Sequence, residues 1–165
     1  MESINFLNTI TNLEIIIIFL IAAAPIGELR LSIPYGMLLT DVPIYIVLLM
    51  SIAGNIFSGI FIIHLLPYFL KYLRKIHLIN SMYEYATKRT YSRSYIVQRR
   101  KYYGLIFFVS LPLPFTGVWT GSLASNLIGL SKFKSSLAVI IGVLISSTVV
   151  TTLVSLGIYS FNIIY

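Results

Sequence analysis

Four long apolar blocks constrain this chain more than any other feature. They cover Leu13–Leu39, Val42–Leu66, Tyr103–Leu130 and Ser136–Tyr159, and 58% of the residues are hydrophobic while only 10% are charged. Charged residues make up about 25% of a typical soluble domain. A soluble domain of 165 residues could not hide so much apolar surface from water. The sequence therefore predicts a single all-α integral membrane domain over residues 1–165.

The second and fourth blocks are uninterrupted. They contain 25 and 24 residues, and at ~1.5 Å per residue each helix is longer than the ~30 Å hydrocarbon layer of a bilayer. We therefore predict transmembrane helices over residues 42–66 and 136–159.

The first and third blocks are interrupted by prolines and glycines. Residues 22–36 contain two prolines, two glycines, a glutamate and an arginine, and residues 111–121 contain two prolines and two glycines. The apolar pieces beside these breaks, Leu13–Ala24 and Val118–Leu130, would form helices of ~18 and ~20 Å, about half of a membrane. We predict two re-entrant helical hairpins, over residues 13–40 and 103–130, which must be shielded by protein or line a wet cavity.

The connecting segment 67–101 carries most of the positive charge. It holds nine of the twelve Lys and Arg residues and one acid, for a net charge of +8, whereas the rest of the chain sums to −1. The excess of basic residues predicts that this loop is cytoplasmic in a multi-pass cell-membrane protein. Two hairpins and two spans would also leave Lys132 and Lys134 inside, whereas four full crossings would place both outside. We therefore favour the two-hairpin topology.

The predicted halves, residues 1–66 and 102–165, each contain one hairpin and one span, inserted from opposite sides. Such inverted repeats are typical of transporters in which broken segments meet near the bilayer midplane and form the site. Within the connecting loop, apolar side chains recur at helical spacing (Phe69, Tyr72, Leu73, Ile76, Ile79 and Tyr83). This pattern predicts an amphipathic helix on anionic lipid, with a solvated loop as the alternative. Nucleic-acid binding is not expected.

Glu28 and Arg30 are the only charged side chains well inside an apolar block. Each costs about 2.5–3.5 kcal/mol at the membrane centre. Residues two apart do not share a helix face but do share a side in extended chain, and Pro25, Gly27 and Pro34 favour non-helical backbone. Three interpretations remain open. The pair forms a substrate or ion site, in which Arg30 holds an anionic group and Glu28 carries a proton; it is a structural ion pair; or the hairpin is less deeply buried.

The second hairpin offers polar side chains without charge, namely Thr116, Trp119, Thr120, Ser122 and Asn126. A half-helix starting after Gly117 would direct its positive dipole end towards an anionic or amphiphilic ligand. Alternatively, the hydroxyls only satisfy backbone carbonyls that the prolines leave without donors. Asn55, in the middle of the first span, is a candidate cavity residue or an interhelical hydrogen-bonding residue.

Catalytic and metal-binding patterns are absent from the sequence. The chain has no cysteine, and its only histidines are His64 and His77, so we predict no metal and no cofactor. There is no Ser–His–acid triad, glycine-rich phosphate loop or carboxylate pair, and we do not expect an enzyme.

Both broken stretches resemble motifs of a known family. Residues 28–36, which read Glu28-Leu-Arg30-Leu-Ser-Ile33-Pro34-Tyr-Gly36, resemble the E-x-R-x-x-I-P-x-G motif of the small multidrug export protein family. Residues 112–121 are similar to its second motif, although Phe115 stands where many members have glycine. The resemblance implies functional roles for the matching positions, which are Glu28, Arg30, Pro34, Pro112, Pro114, Thr116, Gly117, Trp119 and Gly121.

That family is in turn similar to the DedA-like membrane proteins of the SNARE-associated Golgi protein superfamily. Those proteins carry facing re-entrant hairpins, and some move lipid phosphates. The expected function is therefore export of amphiphilic compounds or lipid-phosphate headgroups, with proton coupling through Glu28. The alternatives are an energy-independent lipid scramblase and a structural or partner-binding membrane protein. Two spans can hardly shield two hairpins from lipid, so we also expect a homo-oligomer, most simply a dimer.

Overall fold

A computed structural model describes residues 2–73, 95–113 and 116–164. These residues form α-helices and no strand, which confirms the all-helical prediction for the described chain. The helices are α1 (Glu2–Ala23), α2 (Glu28–Leu39), α3 (Ile44–Leu73), α4 (Tyr95–Ser110), α5 (Val118–Leu127) and α6 (Lys132–Ile164).

Helices α3 and α6 contain the two predicted spans. Each includes a stretch long and apolar enough to cross a membrane, Ile44–Leu65 and Lys132–Ser160. Helix α3 continues beyond the predicted end of the span, through Pro67 to Leu73. Phe69, Tyr72 and Leu73 of the predicted amphipathic helix therefore belong to α3, and the remainder of that helix, with His77, lies outside the described residues.

The first broken block is interrupted over a shorter stretch than expected. Helix α1 ends at Ala23, a turn covers residues 24–27, and α2 begins at Glu28. Pro34 lies inside α2, where it lacks the N–H that would donate to the Arg30 carbonyl. The helix continues through this position because the remaining backbone bonds of α2 and its packing hold it, as in many membrane helices.

The second broken block is interrupted between α4 and α5. Residues 111–113 and 116–117 are not helical, and α5 begins at Val118, where the sequence predicts the half-helix to start. Pro114 and Phe115 of the second motif lie outside the described residues.

The chain divides into two compact units. Unit 1 comprises Met1–Phe57 and Leu144–Tyr165, and unit 2 comprises Ser58–Val143. Unit 1 contains the pair α1–α2, the first half of α3 and the second half of α6. Unit 2 contains the pair α4–α5 and the complementary halves of α3 and α6. Each unit thus has one broken helix pair and a segment of each long helix.

In unit 1 the helices approach one another closely at glycines. Ile18, Val42 and Val47 form a buried cluster, and a Cβ added to Gly36 of α2 would overlap the Val47 side chain of α3. A Cβ at Gly54 of α3 would likewise overlap the Phe19 carbonyl of α1. Small residues permit this backbone proximity, which drives helix association in lipid.

Unit 2 has the same kind of packing. A Cβ at Gly59 of α3 would lie 2.5 Å from Val118 of α5 and 2.8 Å from Val139 of α6. A Cβ added to Gly121 of α5 would lie 2.6 Å from the Val109 side chain of α4, and one added to Gly142 of α6 would lie 2.7 Å from it. Helix α4 therefore packs against both of these helices through glycines.

Candidate functional site

Glu28 occupies an unusual position at the start of α2. Its φ is 48°, and it is the only residue other than glycine with a positive φ among those the structure describes. Its N–H donates to the Ala24 carbonyl at 3.3 Å, and the Leu31 N–H donates to the Gly27 carbonyl at 3.2 Å, so hydrogen bonds fix the turn on both sides. A residue with a side chain in this region costs on the order of 1–2 kcal/mol, and such strain is often found at functional sites.

Glu28 and Arg30 form an ion pair. Arg30 Nη2 donates to Glu28 Oε2 at 3.2 Å. The Arg30 side chain is 25% exposed and the Glu28 side chain is 6% exposed. On a regular helix, residues two apart point in different directions. The expectation of extended backbone here was wrong, because Arg30 is helical; the positive φ at Glu28 changes the direction of its side chain instead. The carboxylate is thus buried behind a guanidinium that solvent or a ligand can reach.

Buried polar side chains continue from this pair along the interface of α2 and α3. The two helices are joined by residues 40–43 and run antiparallel, with Gly36 against Val47. In this register, Ser32, one turn before Gly36, is opposite Ser51, one turn after Val47. One turn beyond these serines, Glu28 is opposite Asn55. Ser32 and Ser51 are 0% exposed and Asn55 is 2% exposed. Gly54, beside Asn55, contacts Ala22 of α1, close to the turn before Glu28.

The Ser32 and Ser51 hydroxyls have no hydrogen-bond partner. The hydroxyls of Ser122 and Ser136 in unit 2 also lack a partner, whereas Ser125 donates to the Ser122 carbonyl and Ser147 to the Leu144 carbonyl, each at 2.8 Å. This bond is the usual way to satisfy a buried serine. The sequence does not mark these two serines as site residues, although the short connection at residues 40–43 predicts that the helices carrying them are antiparallel.

The second hairpin is built around Gly117. This residue is buried and has φ 143° and ψ −163°, a conformation that is essentially restricted to glycine. The Thr116 hydroxyl lies 2.9 Å from the carbonyls of Leu111 and Leu113, and the Thr120 hydroxyl lies 3.5 Å from the Gly117 carbonyl. These contacts agree with the interpretation in which the hydroxyls satisfy backbone carbonyls near the prolines.

The remaining predicted residues of unit 2 are distributed along α5 and the segment before it. The Asn126 side-chain amide donates to the Ser122 carbonyl at 3.1 Å. Trp119 and Pro112 are half-buried, Thr120 is exposed and Gly121 is buried. Thr120 and Asn126 therefore contact carbonyls of their own helix and its cap.

Lys101 joins the two ends of the α4–α5 pair. Its ammonium group donates to the Ile128 carbonyl at 2.5 Å. Helix α5 ends in a Schellman motif, in which Gly129 has φ 67° and the Leu130 N–H donates to the Ser125 carbonyl at 3.1 Å. A cation at this carboxyl end also interacts favourably with the helix dipole. From the sequence, Lys101 was expected only to be part of the basic loop. Gly129 was the signal for the end of α5, because glycine is common just after a helix.

A second basic residue lies beside an aromatic ring in the same unit. The Lys132 ammonium group is 5.2 Å from the centroid of the Tyr68 ring, a cation–π distance. Tyr68 lies near the end of α3 and Lys132 begins α6. Among the described residues, no group of three or more His, Asp or Glu side chains could hold a metal ion.

Together, the apolar spans α3 and α6 and the buried ion pair at a helix break define an α-helical membrane protein. Residues 28–149 match the model of the putative small multi-drug export protein family. Because this match covers well over half of the 165 residues, the chain belongs to that family, and the resemblance of its motifs is confirmed. No curated protein and no solved structure matches the chain.

Proposed function

We propose that this protein exports amphiphilic compounds with an anionic group, lipid phosphates among them, and that Glu28 couples export to protons. The family description supports a small multidrug exporter. One observation carries the substrate class: the Arg30 guanidinium is 25% exposed and is held by a carboxylate that is 6% exposed. Guanidinium is the side chain best suited to bind phosphate or carboxylate oxygens.

The ion pair also supports the coupling. When an anionic group of the substrate binds Arg30, the Glu28 carboxylate loses this guanidinium while it remains buried. An unpaired buried charge costs several kcal/mol, and uptake of one proton removes it. Release of the substrate reverses both steps, because Arg30 then returns to the carboxylate.

The lengths of α2, α4 and α5 support re-entrant hairpins, whereas α1 has 22 residues, of which Thr11–Ala23 form the apolar part. Helices α4 and α5 have 16 and 10 residues, and α2 has 12. At ~1.5 Å per residue they reach about 24, 15 and 18 Å, less than the ~30 Å of the hydrocarbon layer. The hydrogen bond from Lys101 to Ile128 closes the α4–α5 pair, as expected of a hairpin that enters and leaves on one side.

The inverted repeat and the orientation follow from similar arguments. Each compact unit contains one broken helix pair and parts of both long helices, which supports two related halves. The charge of +8 on segment 67–101 supports a cytoplasmic loop in a multi-pass cell-membrane protein. The relation to DedA-like proteins remains a prediction.

A homo-oligomer in contact with membrane lipids is part of the proposal. Ile26, in the turn before Glu28, is 85% exposed although it is apolar and adjoins a buried ion pair. A second copy of the chain would shield such a turn from lipid better than α3 and α6 alone.

The transport test uses purified protein in liposomes with a short-chain fluorescent lipid phosphate as the probe. We expect uptake that depends on the pH gradient, a loss of at least about tenfold in Arg30→Gln, and partial activity in Arg30→Lys, because ammonium binds phosphate without bidentate geometry. Arg100→Gln is the matched control, since it removes an exposed arginine of α4 and should leave the rate unchanged.

Two other results would replace the proposal. Equal wild-type rates with and without the pH gradient would indicate an energy-independent scramblase. If wild-type protein moves no probe, and Arg30→Ala only weakens assembly, the protein is a structural or partner-binding membrane protein. A folded Glu28→Gln variant with the native rate and pH dependence would remove the coupling role.

A further inference from the structure

We propose that Ser32 accepts a hydrogen bond from Glu28 in its protonated form and that Ser51 in turn accepts one from Ser32. This inference rests on the proposed proton coupling and names the groups that stabilise the second state of the carboxyl group. In the structure, Glu28 accepts a hydrogen bond from Arg30 at 3.2 Å. A protonated carboxyl group would instead donate one, and Arg30 has no acceptor atom.

The two serines are suited to receive that hydrogen bond. Both hydroxyls are 0% exposed and have no partner while Glu28 is paired with Arg30. Ser32 follows Glu28 by four residues on α2, so its side chain leans back towards Glu28. The register set by Gly36 and Val47 places Ser51 opposite Ser32.

A complete chain of donors is then available. The Glu28 carboxyl O–H donates to Ser32 Oγ, the Ser32 hydroxyl donates to Ser51 Oγ, and the Ser51 hydroxyl donates to a carbonyl one turn earlier on α3. Buried polar groups in a membrane protein are normally all satisfied. In the state with the Arg30 pair, the Ser32 and Ser51 hydroxyls have no hydrogen-bond partner and are available for this chain.

The proton balance is simple. One proton binds the Glu28 carboxylate, the charge of the carboxylate disappears, and Arg30 keeps its own proton and moves to the anionic substrate. On the neighbouring elements of unit 1, α1 contributes Glu2 and Glu14, the connection at residues 40–43 contributes Asp41, and the segments 44–57 and 144–164 contribute no charged side chain, Tyr45 and Tyr159 being their titratable groups. Arg30 is the charged residue with which Glu28 forms an ion pair.

The test is infrared difference spectroscopy of the protonated carboxyl band in lipid nanodiscs, without substrate, assigned by its loss in Glu28→Gln. In Ser32→Ala the neutral acid loses its hydrogen bond, and in Ser51→Ala the Ser32 hydroxyl that accepts this bond loses its own acceptor, whereas the carboxylate keeps Arg30 in both variants. The midpoint of protonation should therefore move to lower pH by about 0.5–1 unit, a threefold to tenfold loss of proton affinity.

Ser125→Ala is the matched control. Ser125 is also 0% exposed, but its hydroxyl already donates to the Ser122 carbonyl, so the midpoint should stay at the native pH. Ser32→Thr keeps a hydroxyl and should retain the native midpoint even if the alanine variant folds poorly.

Unchanged midpoints in both alanine variants would overturn the inference, as would a wild-type carboxyl that stays ionised down to the pH of unfolding. This readout needs no transport. A shifted midpoint without transport of any probe would reject the proposed function alone, and transport with unshifted midpoints would reject this inference alone.

Discussion

At the scale of single residues, the backbone at Glu28 and the ion pair depend on each other. The positive φ lets residues 28 and 30 meet within one turn of chain, at a distance of 3.2 Å. The strain of this conformation is an independent reason to connect Glu28 with function, because selection for stability alone would favour glycine or asparagine there.

We predict that Glu28→Gly is more stable than Glu28→Ala. Both variants lose the carboxylate, but only glycine adopts φ 48° without strain, so the difference should be about 1 kcal/mol in favour of glycine. Thermal unfolding midpoints in mild detergent measure it. At Leu31, an exposed position within α2, the order should reverse, because glycine in a helix costs about 0.5–1 kcal/mol relative to alanine. The same order at both positions would contradict the assignment of strain.

At the scale of helices, glycine lets α2 and α3 approach each other closely, so that polar side chains on the two helices can face each other. The register of α2 and α3 is set where Gly36 meets Val47, and it aligns Ser32 with Ser51.

We predict that Gly36→Ala lowers the unfolding free energy by about 1–3 kcal/mol, because its Cβ overlaps Val47. The change should be partly rescued by Val47→Ala, with the double variant more stable than the sum of the single effects by at least about 1 kcal/mol. The matched control is Gly157→Ala in α6, where an added Cβ meets no atom within 4 Å; it should be neutral or slightly stabilising. Additive effects at Gly36 and Val47 would show that the two helices do not pack at this point.

A second prediction at this scale concerns the end of α5. Lys101→Met keeps most of the side-chain volume but removes the hydrogen bond to the Ile128 carbonyl, which is worth about 1 kcal/mol. Amide hydrogen exchange at Gly129 and Leu130 should accelerate about fivefold. Arg100→Met, on the same helix and exposed, should not change it. Equal exchange in the two variants would mean that Lys101 does not hold the hairpin closed.

At the scale of the whole molecule, topology is the decisive property, and the absence of cysteine makes it accessible. Single cysteines at Asp41 and Lys132, both exposed positions, should react with a membrane-impermeant reagent from outside and from inside the cell, respectively. A cysteine at Ala138, which is 0% exposed, should react from neither side. Labelling of both exposed positions from outside would establish four crossings instead of two hairpins.

The assembly state is the second test at this scale. Mass measurement of the protein in mild detergent should give a homo-oligomer, most simply a dimer, that dissociates in a harsher detergent. Monomers at all protein concentrations in mild detergent would show that one copy shields its own helix breaks.

Sequence alone determined the helical class, the two spans and the positions of both helix breaks. These properties depend on local chemistry: the length of apolar runs, the missing N–H of proline and the conformational freedom of glycine. The family followed from the two motifs that contain those breaks. The charge of segment 67–101 could be read from the sequence, whereas the contact of Lys101 with Ile128, 27 residues further along the chain, could not.

Only the tertiary structure decided how Glu28 reaches Arg30 and which buried serines of α2 and α3 lack a hydrogen-bond partner. The sequence predicted extended backbone there because residues two apart cannot meet on a regular helix, and it could not anticipate a single positive φ at the first residue of α2. Ser32 and Ser51 are separated by 19 positions and look like ordinary membrane-helix serines. Their relation depends on the register of two packed helices, which is fixed by side-chain volume at Gly36 and Val47 rather than by any local pattern.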